Sequence, residues 1–271
     1  MPRDLRITLG GGFIVLLLIA AIFAYWLSPF DPLEQDLLTA TAPPLRESGH
    51  YLGTDSLGRD VLSRLIYASR VALTVAFGAS LLACAIGTVL GLAAGYLGGW
   101  WDSIVSGLID IWMAFPPVLL SILLVAVLGP GLHSVIAAIA VIDWTRFARV
   151  VRAEAQQQAR LEYVEAATAL GMGRGAILIH EILPNVLPVI LVLLSLEMGI
   201  AVIVEAILSY VGLSLSTDTP TWGGMIAEGR QIVYQAWWVL VFPLATLFLT
   251  VLAFNQLGDG LRQWLDPMLK R

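Results

Sequence analysis

The chain has 271 residues, of which 58% are hydrophobic and 13% charged, with a mean hydropathy of +0.85. A soluble domain of average composition carries about 25% charged residues, and several apolar runs here approach the ~20 residues that cross a ~30 Å hydrocarbon core. These values exclude an ordinary soluble domain and describe an all-α membrane protein; the net charge of −5 decides little, because the placement of Lys and Arg outweighs their sum.

In chain order, the first predicted span covers residues 7–28, with Arg3 and Arg6 before it and Tyr25-Trp26 at its far end. A signal peptide has a shorter apolar region and a small-residue cleavage site, so a retained span is expected. A polar segment of about forty residues follows. It contains Pro29, Pro32 and Pro43-Pro44, and leads into LGTDSLGRDVLSRL at 52–65. There Val61, Leu62, Leu65 and Ile66 recur at helical spacing behind Asp60, which predicts an amphipathic helix lying on the membrane surface. Further spans are expected at 71–96, 103–128, 132–148, 186–213 and 236–257, six in all. Pro116-Pro117 interrupts the third, and Gly129-Pro130-Gly131 makes the turn after it. The fourth is short and holds Asp143, so its helix is expected to continue through Arg146, Arg149 and Arg152. The single Cys84 excludes an internal disulfide and is read as a small packing residue. Two units are expected: residues 1–70, a span plus an outer segment, and residues 71–271, a five-span core.

Orientation follows from the cations. With the N-terminus inside, Arg3, Arg6, Arg146, Arg149, Arg152, Arg160, Arg174, Arg262, Lys270 and Arg271 lie on the inner side. Arg46, Arg59, Arg64, Arg70 and Arg230 lie outside. Ten against five places both termini in the cytoplasm, N-in and C-in.

The same count puts residues 149–185 inside. Residues 153–169 are rich in Ala, Gln, Glu and Leu, which favour helix. Gly171 and Gly173 stop it. Ile177, Ile179 and Ile182 restart an apolar pattern, and Pro184 and Pro188 mark entry into the next span. Two short helices at an angle would form a protruding knob. Glu165 would offer it a charge, and the small Ala166 and Ala167 would permit close approach by a partner. From pattern alone a docking element and a plain amphipathic connector remain open.

The stretch EAATALGMGRGAILIHEILP at 165–184, with Glu165-Ala166-Ala167, Gly171 and Leu183-Pro184, resembles the cytoplasmic loop of permease subunits of ATP-binding-cassette importers. Glu181 stands where that pattern usually has Ile. Five further blocks resemble C-type permeases of the dipeptide, oligopeptide and nickel group. They are LGTDSLGRDVLSRLIYASR at 52–70, 95–117 with GYLGGWWD and IDIWMAFPP, EAILSYVG at 205–212, PTWGGMIAEGR at 220–230 and LAFNQLGDGLRQWLDP at 252–267.

The resemblance implies a type I importer permease fold of six helices in the inner membrane, coupled to an ATPase through Glu165, Ala166, Ala167, Gly171, Leu183 and Pro184. It also implies partners: a homologous second permease, two ATPase subunits that hold ATP and Mg, and a soluble substrate-binding protein. The chain itself would carry no cofactor. The cargo expected is a di- or oligopeptide, with nickel or a nickel chelate as the alternative.

Three carboxylates, Asp110, Glu197 and Glu205, interrupt apolar helices. At mid-bilayer each costs roughly 2.5–3.5 kcal/mol, so each should face protein or water. They could line a translocation path or fix helix packing. Asp110 and Glu205 fall within the family-like blocks, which favours architecture for them, and Glu197 is the stronger path candidate. An ion-coupled secondary transporter using the three as a relay, or a scaffold subunit without a path, are the rival classes. His50, His133 and His180 are too scattered to read as a metal site. Trp100-Trp101, Trp222, Trp237-Trp238 and Trp264 are read as interfacial anchors. The sequence holds no phosphate loop, HExxH or GxSxG motif.

Overall fold

A computed structural model describes residues 3–45, 49–215 and 218–265. Arg46, Lys270 and Arg271 of the charge count, and the end of the block at 252–267, lie outside the described residues. Helices dominate: α1 (Arg3–Ile22), α2 (Ala24–Leu27), α3 (Val61–Leu97), α4 (Gly99–Met113), α5 (Pro117–Leu128), α6 (Leu132–Gln158), α7 (Glu162–Ala169), α8 (Arg174–Ile177), α9 (Leu183–Tyr210), α10 (Trp222–Gln231) and α11 (Trp237–Leu265). Among the described residues there is no strand, only an isolated bridge between Thr54 and Asp60.

Four stretches are long and apolar enough to cross a bilayer: Leu5–Ile22, Val61–Leu97, Arg174–Tyr210 and Trp237–Leu265. The pair α4–α5 offers a fifth crossing, but its two halves meet at 89°. The span expected at 103–128 is thus broken at the Pro116-Pro117 interruption that the sequence predicts, and sharply so. Pro116 and Pro117 lack the N–H groups that would carry the helix through, and the ring of Pro117 suits the first turn of α5. Helix α6 carries Asp143, Arg146, Arg149 and Arg152 and falls short of the other four in apolarity.

Residues 61–70 do not form a separate surface helix. They are the first turns of α3, capped by the Asp60 carboxylate on the Ser63 N–H at 2.7 Å, and Val61, Leu65 and Ala68 are buried in the core. The helix runs unbroken across the 70/71 boundary expected between two units.

The centre of the bundle is α3 packed along α6. Gly87, Gly91 and Gly95 make a small-residue stripe at four-residue spacing on α3. A Cβ at these positions would lie 2.4 Å from the Trp144 carbonyl oxygen, 2.7 Å from that of Ala148 and 2.6 Å from that of Arg152. Backbone-to-backbone approach of this kind is how helices gain dispersion contacts inside lipid, where no hydrophobic force joins them.

Contacts at the two ends fix the topology. Arg6 at the start of α1 pairs with Asp259 near the end of α11, and one groove joins Gln158, Pro184, Asn185 and Arg262. The start of α1, the end of α11 and the 159–182 loop thus share one end. At the other end, residues 49–60 meet α10 and the start of α11. Trp238 donates its indole N–H to the Thr54 carbonyl at 3.0 Å, and Trp222 donates to that of Leu65 at 3.2 Å. Both indoles are buried, which corrects their reading as interfacial anchors; Trp100, Trp101, Trp237 and Trp264 are exposed. Cys84 is half-buried with its sulfur 3.8 Å from the Thr88 hydroxyl.

Candidate functional site

The knob at the end that holds the start of α1 and the end of α11 is built from α7 and the turn after it. Helix α6 stops at Gln158, so the expected single helix over 153–169 is two helices with a break at residues 159–161. Helix α7 ends in a Schellman motif. The N–H of Met172 bonds the Ala167 carbonyl at 3.1 Å, and that of Gly171 bonds the Thr168 carbonyl at 3.0 Å. Gly171 sits at φ +84°, and a Cβ there would meet nothing within 4 Å. Its role is therefore conformational: only Gly adopts this left-handed turn without strain.

The second expected short helix is not separate. From Arg174 the chain runs through one π-helical stretch, Leu178–Ile182, directly into α9. Pro184 and Pro188 bring no N–H to the preceding turns, and the wider stretch answers that loss. The Asn185 side chain donates to the Glu181 carbonyl at 2.7 Å.

One face of the knob is anchored. Val164, Ala167, Ile177 and Ile182 are buried with Leu92 of α3, Val151 and Ala155 of α6, and Val186 and Ile190 of α9; Leu183 packs half-buried against them. Ala166 and Ala167, expected to serve close approach by a partner together, divide: Ala167 faces this core while Ala166 faces outward. Tyr163, which the sequence reading passed over, ties three elements together. Its hydroxyl donates to Gln158 Oε1 at 2.8 Å and accepts from Asn185 at 3.3 Å. Burial pushes this phenol above its ordinary range, so it stays a neutral donor at physiological pH. The other face is open: Glu165, Ala166, Gly171 and Pro184 are exposed, and Leu170, a large apolar side chain at the tip, is 84% exposed.

The three carboxylates do not come together. Asp110 on α4 is exposed and lies 3.6 Å from Arg149 of α6. Glu205 is sealed within the bundle, where it accepts from Ser209 at 2.5 Å and Ser214 at 3.3 Å. Glu197 is buried, and the Arg146 Nη1 donates to both its oxygens at 3.2 and 3.3 Å. Arg146, counted on sequence grounds with the inner loop, therefore reaches into the bundle. Its Nε lies 4.0 Å from Asp143, which is itself 5% exposed. The signal for this cluster was present as Asp143-x-x-Arg146, an i, i+3 pair on one face of α6.

A second polar network, also unforeseen, closes the opposite end. Asp55 is fully buried and accepts from Arg59 Nε at 2.7 Å and Arg64 Nη1 at 2.5 Å. The same arginines reach Glu228 of α10 at 2.9 and 2.6 Å. His50 lies 2.9 Å from Asp60 and stacks on Phe30. These groups lock the outer segment to α3 and α10.

Comparison with known proteins fits this architecture. Residues 87–271 match the family described as the inner membrane component of binding-protein-dependent transport systems. Residues 8–44 match the N-terminal transmembrane domain of oligopeptide transport permease C. The chain is 41% identical over 269 residues to the glutathione transport system permease protein GsiD of Pectobacterium atrosepticum, covering 98% of this chain and 88% of the relative. It is 41% identical over 253 residues to the dipeptide transport system permease protein DppC of Alkalihalophilus pseudofirmus, covering 93% and 83%. It is also 42% identical over 261 residues to GsiD of Escherichia coli O157:H7, covering 95% and 85%. The chain belongs to the inner-membrane components of binding-protein-dependent transport systems, as a multi-pass permease component of the peptide-type ATP-binding-cassette importers.

Proposed function

We propose that this chain is the C-type half of a heterodimeric permease that imports di- or oligopeptides, driven by two separate ATPase subunits and fed by a substrate-binding protein. The observation that carries the coupling assignment is the two-faced knob. Its inner face is fastened to α3, α6 and α9, while Glu165, Ala166, Leu170 and Gly171 face outward. A partner that seats on the outer face and moves therefore moves three long helices with it. ATP binding would draw the ATPases together and rock the bundle open toward the binding protein; hydrolysis would reset it and release cargo inward.

The reading takes six crossings, N-in and C-in, with α6 as the fourth, and it has support in the end shared by the start of α1, the end of α11 and the knob. The positive-inside count puts that end in the cytoplasm. A second permease is supported by the exposed Asp110 on an otherwise apolar stretch of α4, paired with the exposed Arg149 of α6. Charges facing lipid cost roughly 2.5–3.5 kcal/mol each, so this face meets protein or water. Among the relatives above, the names concern dipeptides and glutathione, and the nickel alternative is not carried further.

The experiment is to tag the chain at its C-terminus, purify it gently from native membranes, and measure ATP-driven alanylalanine uptake after reconstitution of what co-purifies. Recovery of a homologous permease and ATPases, with the ATPases lost in Gly171→Asp, is the expected result. A chain recovered alone and still active in uptake would overturn the ATP-driven reading.

A further inference from the structure

Between α5, α6 and α9 lies a cavity of about 220 Å³. Its wall is mostly aliphatic, including Val118, Ile142, Ile203 and Ile207, and its polar groups are Ser121, Asp143 and Arg146. Ser121 is already used, since its hydroxyl donates to the Val118 carbonyl at 2.7 Å. Arg146 gives Nη1 to Glu197. Asp143 is different. Its side chain is only 7% exposed and lies in the cavity wall. Its partner among the described residues is Arg146 Nε at 4.0 Å, beyond hydrogen-bond reach. Two carboxyl groups thus face one guanidinium, and the one that lines the cavity has its acceptor capacity unfilled. A buried carboxylate without donors costs several kcal/mol, so a donor that enters the cavity is favoured there. The group that satisfies both the missing hydrogen bonds and the excess of carboxylates is a cation with several N–H donors, such as an ammonium.

We propose that Asp143, in the cavity wall beside the Arg146–Glu197 pair, binds the terminal ammonium group of the cargo as it passes between α5, α6 and α9. The site rests on the reading of this chain as a peptide permease and adds to it a specificity: a free amino terminus is favoured over a blocked one. Arg146 and Glu197, paired with each other, leave Asp143 one charge in excess.

The test uses the full chain in the complex with which it purifies. Cys84, its single cysteine, is replaced by Ser, and a reporter thiol is placed in the cavity wall as Val118→Cys. A cationic methanethiosulfonate is expected to label this thiol roughly tenfold faster than an anionic one, because a low-dielectric cleft concentrates ions of opposite sign. Asp143→Asn should bring the ratio close to one, and Asp143→Glu, which keeps the charge, should preserve it. Alanylalanine should slow the labelling, while N-acetyl-alanylalanine should not.

Equal protection by the acetylated dipeptide, or an unchanged ratio in Asp143→Asn, overturns the proposal. So does a thiol that neither reagent labels in any nucleotide state, since the cavity is then filled by another subunit or shut off from cargo. Failure of the wild-type complex to take up alanylalanine would instead count against the peptide reading. The reagent ratio needs no cargo and separates the two.

Discussion

Replacing Gly91 by Val tests the α3–α6 seam, on which the other contacts of the bundle depend. A Cβ at Gly91 would lie 2.7 Å from the Ala148 carbonyl oxygen, 2.9 Å from the Val151 Cβ and 3.1 Å from the Arg152 N–H nitrogen. Ordinary carbon–oxygen contacts across close helices are about 3.3–3.6 Å, so even the first added carbon drives the helices more than half an ångström apart. Two further methyl groups follow it. Overpacking costs typically 1–3 kcal/mol, and three added carbons against backbone belong near the upper figure. The gain in helix propensity from Gly to Val, a few tenths of a kcal/mol, offsets little of it. At roughly 2–4 °C per kcal/mol for a chain of this size, a loss of about 3 kcal/mol lowers the melting temperature of the purified complex by about 6–12 °C. Gly107→Val is the control, because a Cβ at Gly107 meets nothing within 4 Å. A Gly91→Val protein that expresses normally and melts within 1 °C of the Gly107→Val control would refute the close seam.

At the knob, Gly171→Asn should retain more uptake per inserted molecule than Gly171→Val, because Asn tolerates a positive φ and a β-branched residue does not. Equal activities would remove the conformational argument. Leu170→Glu should release the ATPases during purification while leaving the stability within about 0.5 kcal/mol of wild type, as expected for an exposed side chain; retained ATPases would remove Leu170 from the docking face. Tyr163→Phe deprives Gln158 and Asn185 of a partner and should cost about 1 kcal/mol, read as a thermal shift together with slower uptake. Arg64→Ala leaves the fully buried Asp55 with one guanidinium fewer and should cost about 3–5 kcal/mol, seen as loss of folded protein. Normal yield of that variant would show that the outer network is dispensable.

Much of the bundle was legible because lipid forces long apolar helices, and Pro and Gly mark their breaks. The knob was legible in outline for the same reason: Gly171 ends α7 where a left-handed turn is required. What could not be read was which of two adjacent residues faces inward. Ala166 and Ala167 are chemically identical, and their difference arises only from the packing of α7 against Leu92, Val151 and Ile182. Partnership was equally hidden. Trp222 and Trp238 have the composition of interfacial anchors, yet their indoles bond backbone carbonyls 157 and 184 residues away. Asp55 and Glu228 belong to segments far apart in the chain, and only the fold brings both to Arg64. The glycine stripe of α3 is written at four-residue spacing, but its meaning needs the facing helix.

Helix α6 connects these features. Its arginines recur every three residues, and each pairs with a carboxylate on another helix: Arg146 with Glu197 of α9, Arg149 with Asp110 and Arg152 with Asp102 of α4. On another side the glycines of α3 hold its backbone. From Asp143 to Gln158 is about 22 Å at 1.5 Å per residue, a distance spanned by one uninterrupted helix between the cavity and the knob. A helix fastened on three sides has little freedom to flex along its length. Displacement of the knob must then be taken up where the bundle is not fastened, and the 89° break between α4 and α5 is such a place. That break ends at Pro117 and Val118, in the wall of the Asp143 cavity. A disulfide across the break, joining cysteines placed at Met113 and Val118 in the Cys84→Ser chain, should therefore stop uptake with the ATPases still bound, and reduction should restore it. Undiminished uptake in the oxidised protein would place the moving joint elsewhere.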